Sequence, residues 1–104
     1  MVNSVKIGGI EYDVLLVPNL KEDGEALNGN IKYNDQEICI NENLERDQRS
    51  VTLLHEIFHA ILIKSGWKHN ERMIEMLSYN MFEVIKDNHK ILLEYILKEE
   101  DEQV

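Results

Sequence analysis

Cysteine is all but missing from the chain, Cys39 being the only one in 104 residues. An intrachain disulfide is therefore impossible, which excludes a secreted scaffold stapled by disulfides. Cys39 lies in an apolar, strand-like run and is expected to be a buried thiol. Long apolar stretches are missing too, and none approaches a membrane span, so no membrane association is expected. Residues 1–11 have neither a basic leader region nor an apolar core region of the secretory kind, so the expected compartment is the cytoplasm. Basic residues are few, 11 against 20 acidic ones, and the net charge is −9. A surface of that sign repels phosphate backbones, so no direct nucleic-acid partner is expected. No repeat, low-complexity run or linker interrupts the chain. With 43% hydrophobic residues, residues 1–104 read as a single ordered domain with one modest core.

The first half of the chain has the alternation of a sheet. Val5 to Val17 reads as a strand, a turn at Gly8-Gly9, and a second strand with one fully buried face, ended by Pro18-Asn19. Leu20 to Leu27 is polar and reads as a loop or a short helical turn. Ile31 to Tyr33 and Glu37 to Asn41 form an expected β-hairpin whose first strand is a candidate edge. From about Leu44 the period becomes helical. Ser65-Gly66 ends the first helix, Trp67 to Asn70 makes the turn, and Asn70 is a plausible N-cap. A second helix is expected from Glu71 to about Asp87, with Met73, Ile74, Leu77, Met81, Val84 and Ile85 toward the core. A third is expected from Lys90 to about Lys98. The acidic residues 99–104 oppose the helix macrodipole and should fray.

The stretch that carries chemistry is His55-Glu56-Ile57-Phe58-His59. Two histidines four residues apart on a helix project from one face, so both imidazoles can reach one metal ion, and the adjacent glutamate is placed to accept a proton from water. Composition alone would produce this pattern roughly 0.02 times in such a chain. The plain alternative is an amphipathic helix with two exposed histidines. Placed at about 100° per residue, the apolar side chains from Val51 to Leu62 cover an arc of roughly 180°, with His55, His59, Thr52 and Glu56 in a wedge of roughly 100°. The helix is therefore expected to bury its apolar arc and turn the wedge toward a cleft.

A catalytic zinc site needs a third protein ligand and one open position. If the second helix packs back antiparallel after a short turn, the position level with His59 is about five residues into it, which is Glu75. Glu71, one turn earlier, exchanges roles with Glu75 if the helix begins sooner. His69 and His89 read as surface histidines. Tyr79, one turn after Glu75, is the best-placed hydroxyl for a developing oxyanion, with His69 as a second option.

A small antiparallel or mixed sheet, then His55 to His59 on a helix, then Glu75-Met76-Leu77-Ser78 on an antiparallel helix, then a C-terminal helix, together resemble the zincin (gluzincin-like) arrangement. The compact chain is most similar to the ImmA/IrrE-type metallopeptidases, particularly their small phage and prophage versions. The resemblance spans Val5 to Asn88. It implies a minimal zincin-like α+β domain with Zn2+ held by His55, His59 and Glu75, and Glu56 as general base. It also implies a regulatory protease whose protein substrate is repressor-like. The chain departs from the family pattern at Phe58, where relatives usually have glycine; on the wheel Phe58 points into the apolar arc. The alternative expectation is a catalytically silent zinc-binding module that holds a protein partner, and the remaining one is a metal-free α+β domain. Oligomeric state is not legible.

Overall fold

The structure, a computed structural model, describes residues 3–68 and 70–98. His69 and the expected frayed tail, 99–104, lie outside the described residues. The chain folds as α+β. Strands β1 (Ser4–Ile7), β2 (Ile10–Val17), β5 (Gly29–Lys32) and β6 (Glu37–Asn41) form a four-stranded mixed sheet in the order β1-β2-β6-β5. The outer pairs, β1/β2 and β5/β6, are antiparallel and β2/β6 is parallel, in register from Asp13↔Glu37 to Val17↔Asn41. Two glycines with positive φ, Gly8 at 61° and Gly9 at 85°, make the tight β1–β2 turn, a conformation that side chains with a Cβ rarely adopt.

Residues 20–27 differ from the expected loop or helical turn. They form a second, two-stranded hairpin of β3 (Lys21–Glu22) and β4 (Glu25–Ala26). Asp23 and Gly24 sit at its tip with φ of 53° and 82°. An Asp-Gly pair with both residues left-handed is a turn that matches strand twist, so the hairpin closes in spite of its polar strands.

Helix α1 (Arg46–Ser65) lies over β5 and β6 and touches β1. The core joins Ile7, Tyr12, Ile38, Ile40 and Ala60, with Leu53 and Ile57 packed half-buried against it. The most deeply buried side of α1 is Val51, Thr52, Glu56 and Ala60, so the expected apolar arc is only part of the packed face. Thr52 and Glu56 of the polar wedge approach Gly29 of β5, and Glu71 of α2 reaches both histidines, so the histidines stand between the sheet and α2. The expected burial of one face of β2 is not met either: Tyr12 is buried, while Leu15 and Leu16 are exposed. Tyr12 and Val14 pack toward the core beneath α1, while α1 lies closest to β5 and β6, so the cover over β2 stops short of Leu16.

Gly66 ends α1 in the left-handed region, φ 74°, and the backbone N–H groups of Gly66 and Trp67 donate to the carbonyls of Ile63 and Leu62. Helix α2 (Glu71–Asp87) starts at Asn70, whose side chain accepts a hydrogen bond from the Met73 N–H at 3.1 Å. Both caps sit where Gly and Asn were read. Of the expected core face of α2, only Ile74 is buried, together with Ser78; Met73, Met81, Val84 and Ile85 are exposed. Helix α3 (His89–Leu92) runs into a π-helical turn, Leu93–Leu97; among the described residues it touches only its chain neighbours, α2 and this turn, and it buries no side chain. No helix of the described residues is long and apolar enough to cross a membrane.

Candidate metal centre

The histidines stand one turn apart on α1 and converge. Their Nε2 atoms are 3.2 Å apart and the ring centroids 4.9 Å, with the planes tilted by 52°. Glu71 reaches both from the first turn of α2, its Oε2 2.7 Å from His55 Nε2 and its Oε1 3.0 Å from His59 Nε2. His55, His59 and Glu71 are thus brought together, each offering one ligand atom, all within 4.8 Å of one another.

These distances can be set against a tetrahedral ion. With bonds of about 2.0–2.1 Å, neighbouring donor atoms lie about 3.3 Å apart. The observed separations of 2.7–3.2 Å are slightly contracted from that edge. Two imidazole nitrogens and one carboxylate, with a fourth direction open to a cleft, are also the donor set that a catalytic zinc site uses. The residues fit the group.

Glu75, the expected third ligand, is not one of the three groups brought together. Helical phase gives the reason. The buried stripe of α2 runs through Ile74 and Ser78, and at 100° per residue Glu71 lies about 40° from it and Glu75 about 80°. Counting by rise alone overlooks this rotation. Glu75 and Tyr79 line a cavity beside the cluster instead. His89 opens α3 as an exposed residue outside the cluster. Phe58 is half-buried.

Glu56 follows His55 on the sheet side of α1 and is 5% exposed. Burial, and secondarily the charge of Glu71, push its pKa up from 4.5 to about 7. The approach of α1 to the sheet depends on Gly29 at the start of β5. A Cβ there would stand 2.5 Å from the Thr52 methyl and 2.9 Å from the Cys39 carbonyl oxygen, with Glu56 Oε2 at 3.5 Å. Gly29 therefore permits the close packing that buries Glu56.

Tyr33 was read only as a strand residue. It lines the cleft with Glu56 and the histidines, and its phenol pKa is raised by burial, then by the nearby charges of Glu56 and Tyr12. The alternation Gly29, Ile31, Tyr33 was the available signal, since residues two apart share a sheet face. Cys39 is buried, as read, and burial raises its thiol pKa.

The cluster opens on a groove with two lobes, of about 470 and 360 Å3, which share Leu27, Gly29, His55, Glu56 and Glu71. The β3–β4 hairpin contributes Glu22 to one lobe and Ala26 to the other. Strand β5 borders both, and it is the edge of its sheet. The chain matches no protein-family model, no curated protein and no solved structure.

Proposed function

We propose that the chain is a zinc-dependent peptide hydrolase, with His55, His59 and Glu71 as the metal ligands and Glu56 as the general base. The observation that carries this reading is the convergence of three ligand atoms from two helices on one point, beside a buried carboxyl group and an open strand edge. Zinc in such a site supplies Lewis acidity, which lowers the pKa of a water toward neutrality and polarises a carbonyl. Glu56 accepts the proton of the attacking water and passes it to the leaving amine. Its burial, at 5% exposure, favours the protonated form and so helps Glu56 take up and hold that proton before it passes to the amine. An extended peptide adds to β5, where backbone pairing supplies affinity with little side-chain selectivity. The tyrosines Tyr33 and Tyr79, in opposite lobes, are the hydroxyl candidates for the developing oxyanion. The resemblance to ImmA/IrrE-type peptidases favours a zincin-like classification and a repressor-like protein of phage or prophage origin as the substrate.

The test combines metal analysis with turnover. Purified protein should contain stoichiometric zinc that His55→Ala and Glu71→Ala lose and Glu75→Ala keeps. Glu56→Gln should retain zinc and abolish cleavage of a quenched fluorescent peptide. Full occupancy in Glu71→Ala would overturn the ligand assignment, and turnover by Glu56→Gln would overturn the mechanism. A second reading, a catalytically silent zinc-binding interaction module, draws support from the exposed apolar side chains of α2 and the C-terminal helix, Met76 and Tyr95 among them. It predicts zinc without turnover of any peptide.

A further inference from the structure

The larger lobe of the groove holds Glu75, which the proposed chemistry does not use, beside Tyr79. We infer that this lobe is a side-chain subsite for a basic residue, lysine or arginine, flanking the bond to be cleaved, with Glu75 as counter-charge and Tyr79 as an aromatic wall. The inference rests on the hydrolase reading and adds a substrate preference to it.

Charge is the first argument. Among the described residues lining the lobe there is no lysine or arginine, and the carboxyl groups present are Glu56, Glu71 and Glu75. Glu71 is engaged with the two imidazoles and Glu56 is buried against β5. Glu75 forms no ion pair among the described residues, so its charge is the one left for a ligand.

Hydrogen-bonding capacity points the same way. The Thr52 hydroxyl donates to the Gln48 carbonyl at 2.8 Å and the Ser78 hydroxyl to the Ile74 carbonyl at 2.7 Å. Both hydroxyl donors are thereby spent on the backbone. What remains are the neutral amides of Asn28 and Gln48, which can donate or accept, and the carboxylate of Glu75, which only accepts; that charged acceptor suits an ammonium or guanidinium group and disfavours a carboxylate.

Length is the third argument. Glu75 lies one turn beyond Glu71, about 6 Å along the helix axis at 1.5 Å per residue. That matches the reach of a lysine stem from a residue whose carbonyl is held at the cluster. Tyr79, one turn further, closes the lobe, its hydroxyl donating to Gln48 Oε1 across to α1 at 3.5 Å. A cation beside its ring also gains a cation–π contact.

The experiment uses hexapeptides with Lys, Arg, Gln, Met or Glu at each position flanking one scissile bond. Cleavage is measured with the zinc-loaded chain, and calorimetric binding with zinc-loaded Glu56→Gln and with the metal-free chain. At one flanking position the Lys and Arg peptides should be cleaved, and bound, at least tenfold better than the Gln peptide. Glu75→Gln should collapse that ratio toward one, Glu75→Lys should turn it in favour of the Glu peptide, and Tyr79→Leu should reduce it about threefold. Cleavage with no basic preference, or a preference that survives Glu75→Gln in a folded variant, overturns the subsite and leaves the hydrolase reading standing. Basic-selective binding that depends on Glu75 but comes with no cleavage upholds the subsite and overturns the hydrolase. Neither cleavage nor selective binding overturns both.

Discussion

Glu56 is held in its neutral form to a higher pH than a carboxyl group in water would be, because it is buried and faces Glu71. Its folded-state pKa is raised, so the folded chain binds this proton more tightly than the unfolded one. The stability it contributes is full below the unfolded value of 4.5 and is lost as pH rises through about 7. Across that window the change is about 3 kcal/mol. Denaturant unfolding of chelator-treated protein between pH 4.5 and 8 should show this decline, and Glu56→Gln should flatten it. A wild-type curve no steeper than that of Glu56→Gln would mean that the carboxylate is well solvated. Gly29 gives a second prediction at the same scale. Gly29→Ala forces a methyl group against Thr52 and the Cys39 carbonyl, and overpacking of this kind costs about 1–3 kcal/mol. Thermal melts of the variant should show that loss. Gly24→Ala, where a Cβ would meet nothing within 4 Å but φ is +82°, separates backbone strain from crowding.

At the scale of elements, the cluster of His55, His59 and Glu71, the proposed metal centre, depends on how α2 begins. Asn70 caps the helix through the Met73 N–H, and Glu71 reaches the histidines from the turn that this cap holds. Removing an N-cap side chain costs about 0.5–2 kcal/mol. Asn70→Ala should therefore lower the melting temperature and also weaken zinc binding, measured by competition with a chromophoric chelator. Asn88→Ala, at the far end of α2, should leave zinc affinity alone. The caps, the helix limits and the histidine pair were legible because each is local: Gly66, Asn70 and the i, i+4 spacing act within a few residues. Which of Glu71 and Glu75 would meet the histidines was not, since it depends on the rotation of α2 against α1, which tertiary packing decides. The buried face of α2 was not legible either. Its apolar arc is wider than the surface α1 offers, so periodicity could not say that Ile74 would be covered and Met73 left exposed.

The molecule as a whole is less compact than its length would allow. Its radius of gyration is 15.1 Å, against about 13 Å for a globular chain of this size. The C-terminal helix accounts for part of this, since among the described residues α3 touches only its chain neighbours and buries no side chain. Tyr95, at 79% exposure, then adds little to the fold, and Tyr95→Ser should change stability by no more than about 0.5 kcal/mol. A larger drop in the melt, especially one that depends on protein concentration, would show that another chain covers this helix. Metal acts in the opposite sense. Zinc at 100 times its dissociation constant adds about 2.7 kcal/mol, which raises the melting temperature by roughly 10–20 °C in a domain of this size. Scanning calorimetry with and without chelator measures it.

The three donor groups all fall between residues 55 and 71, whereas the parallel pair at the centre of the sheet joins Asp13 to Glu37 across the whole β3–β4 excursion. Loop closure opposes the second only slightly more, by about 0.4 kcal/mol, but the α1–α2 hairpin is built on local helical contacts, which form faster than non-local parallel strand pairing. Folding should accordingly begin in the α1–α2 hairpin, with the sheet completed later. A metal ion that captures His55, His59 and Glu71 in that early hairpin would act on the folding nucleus and speed refolding, besides slowing unfolding. Stopped-flow refolding across a range of free zinc would reveal it: a folding limb that does not move with zinc would place the hairpin after the rate-limiting step.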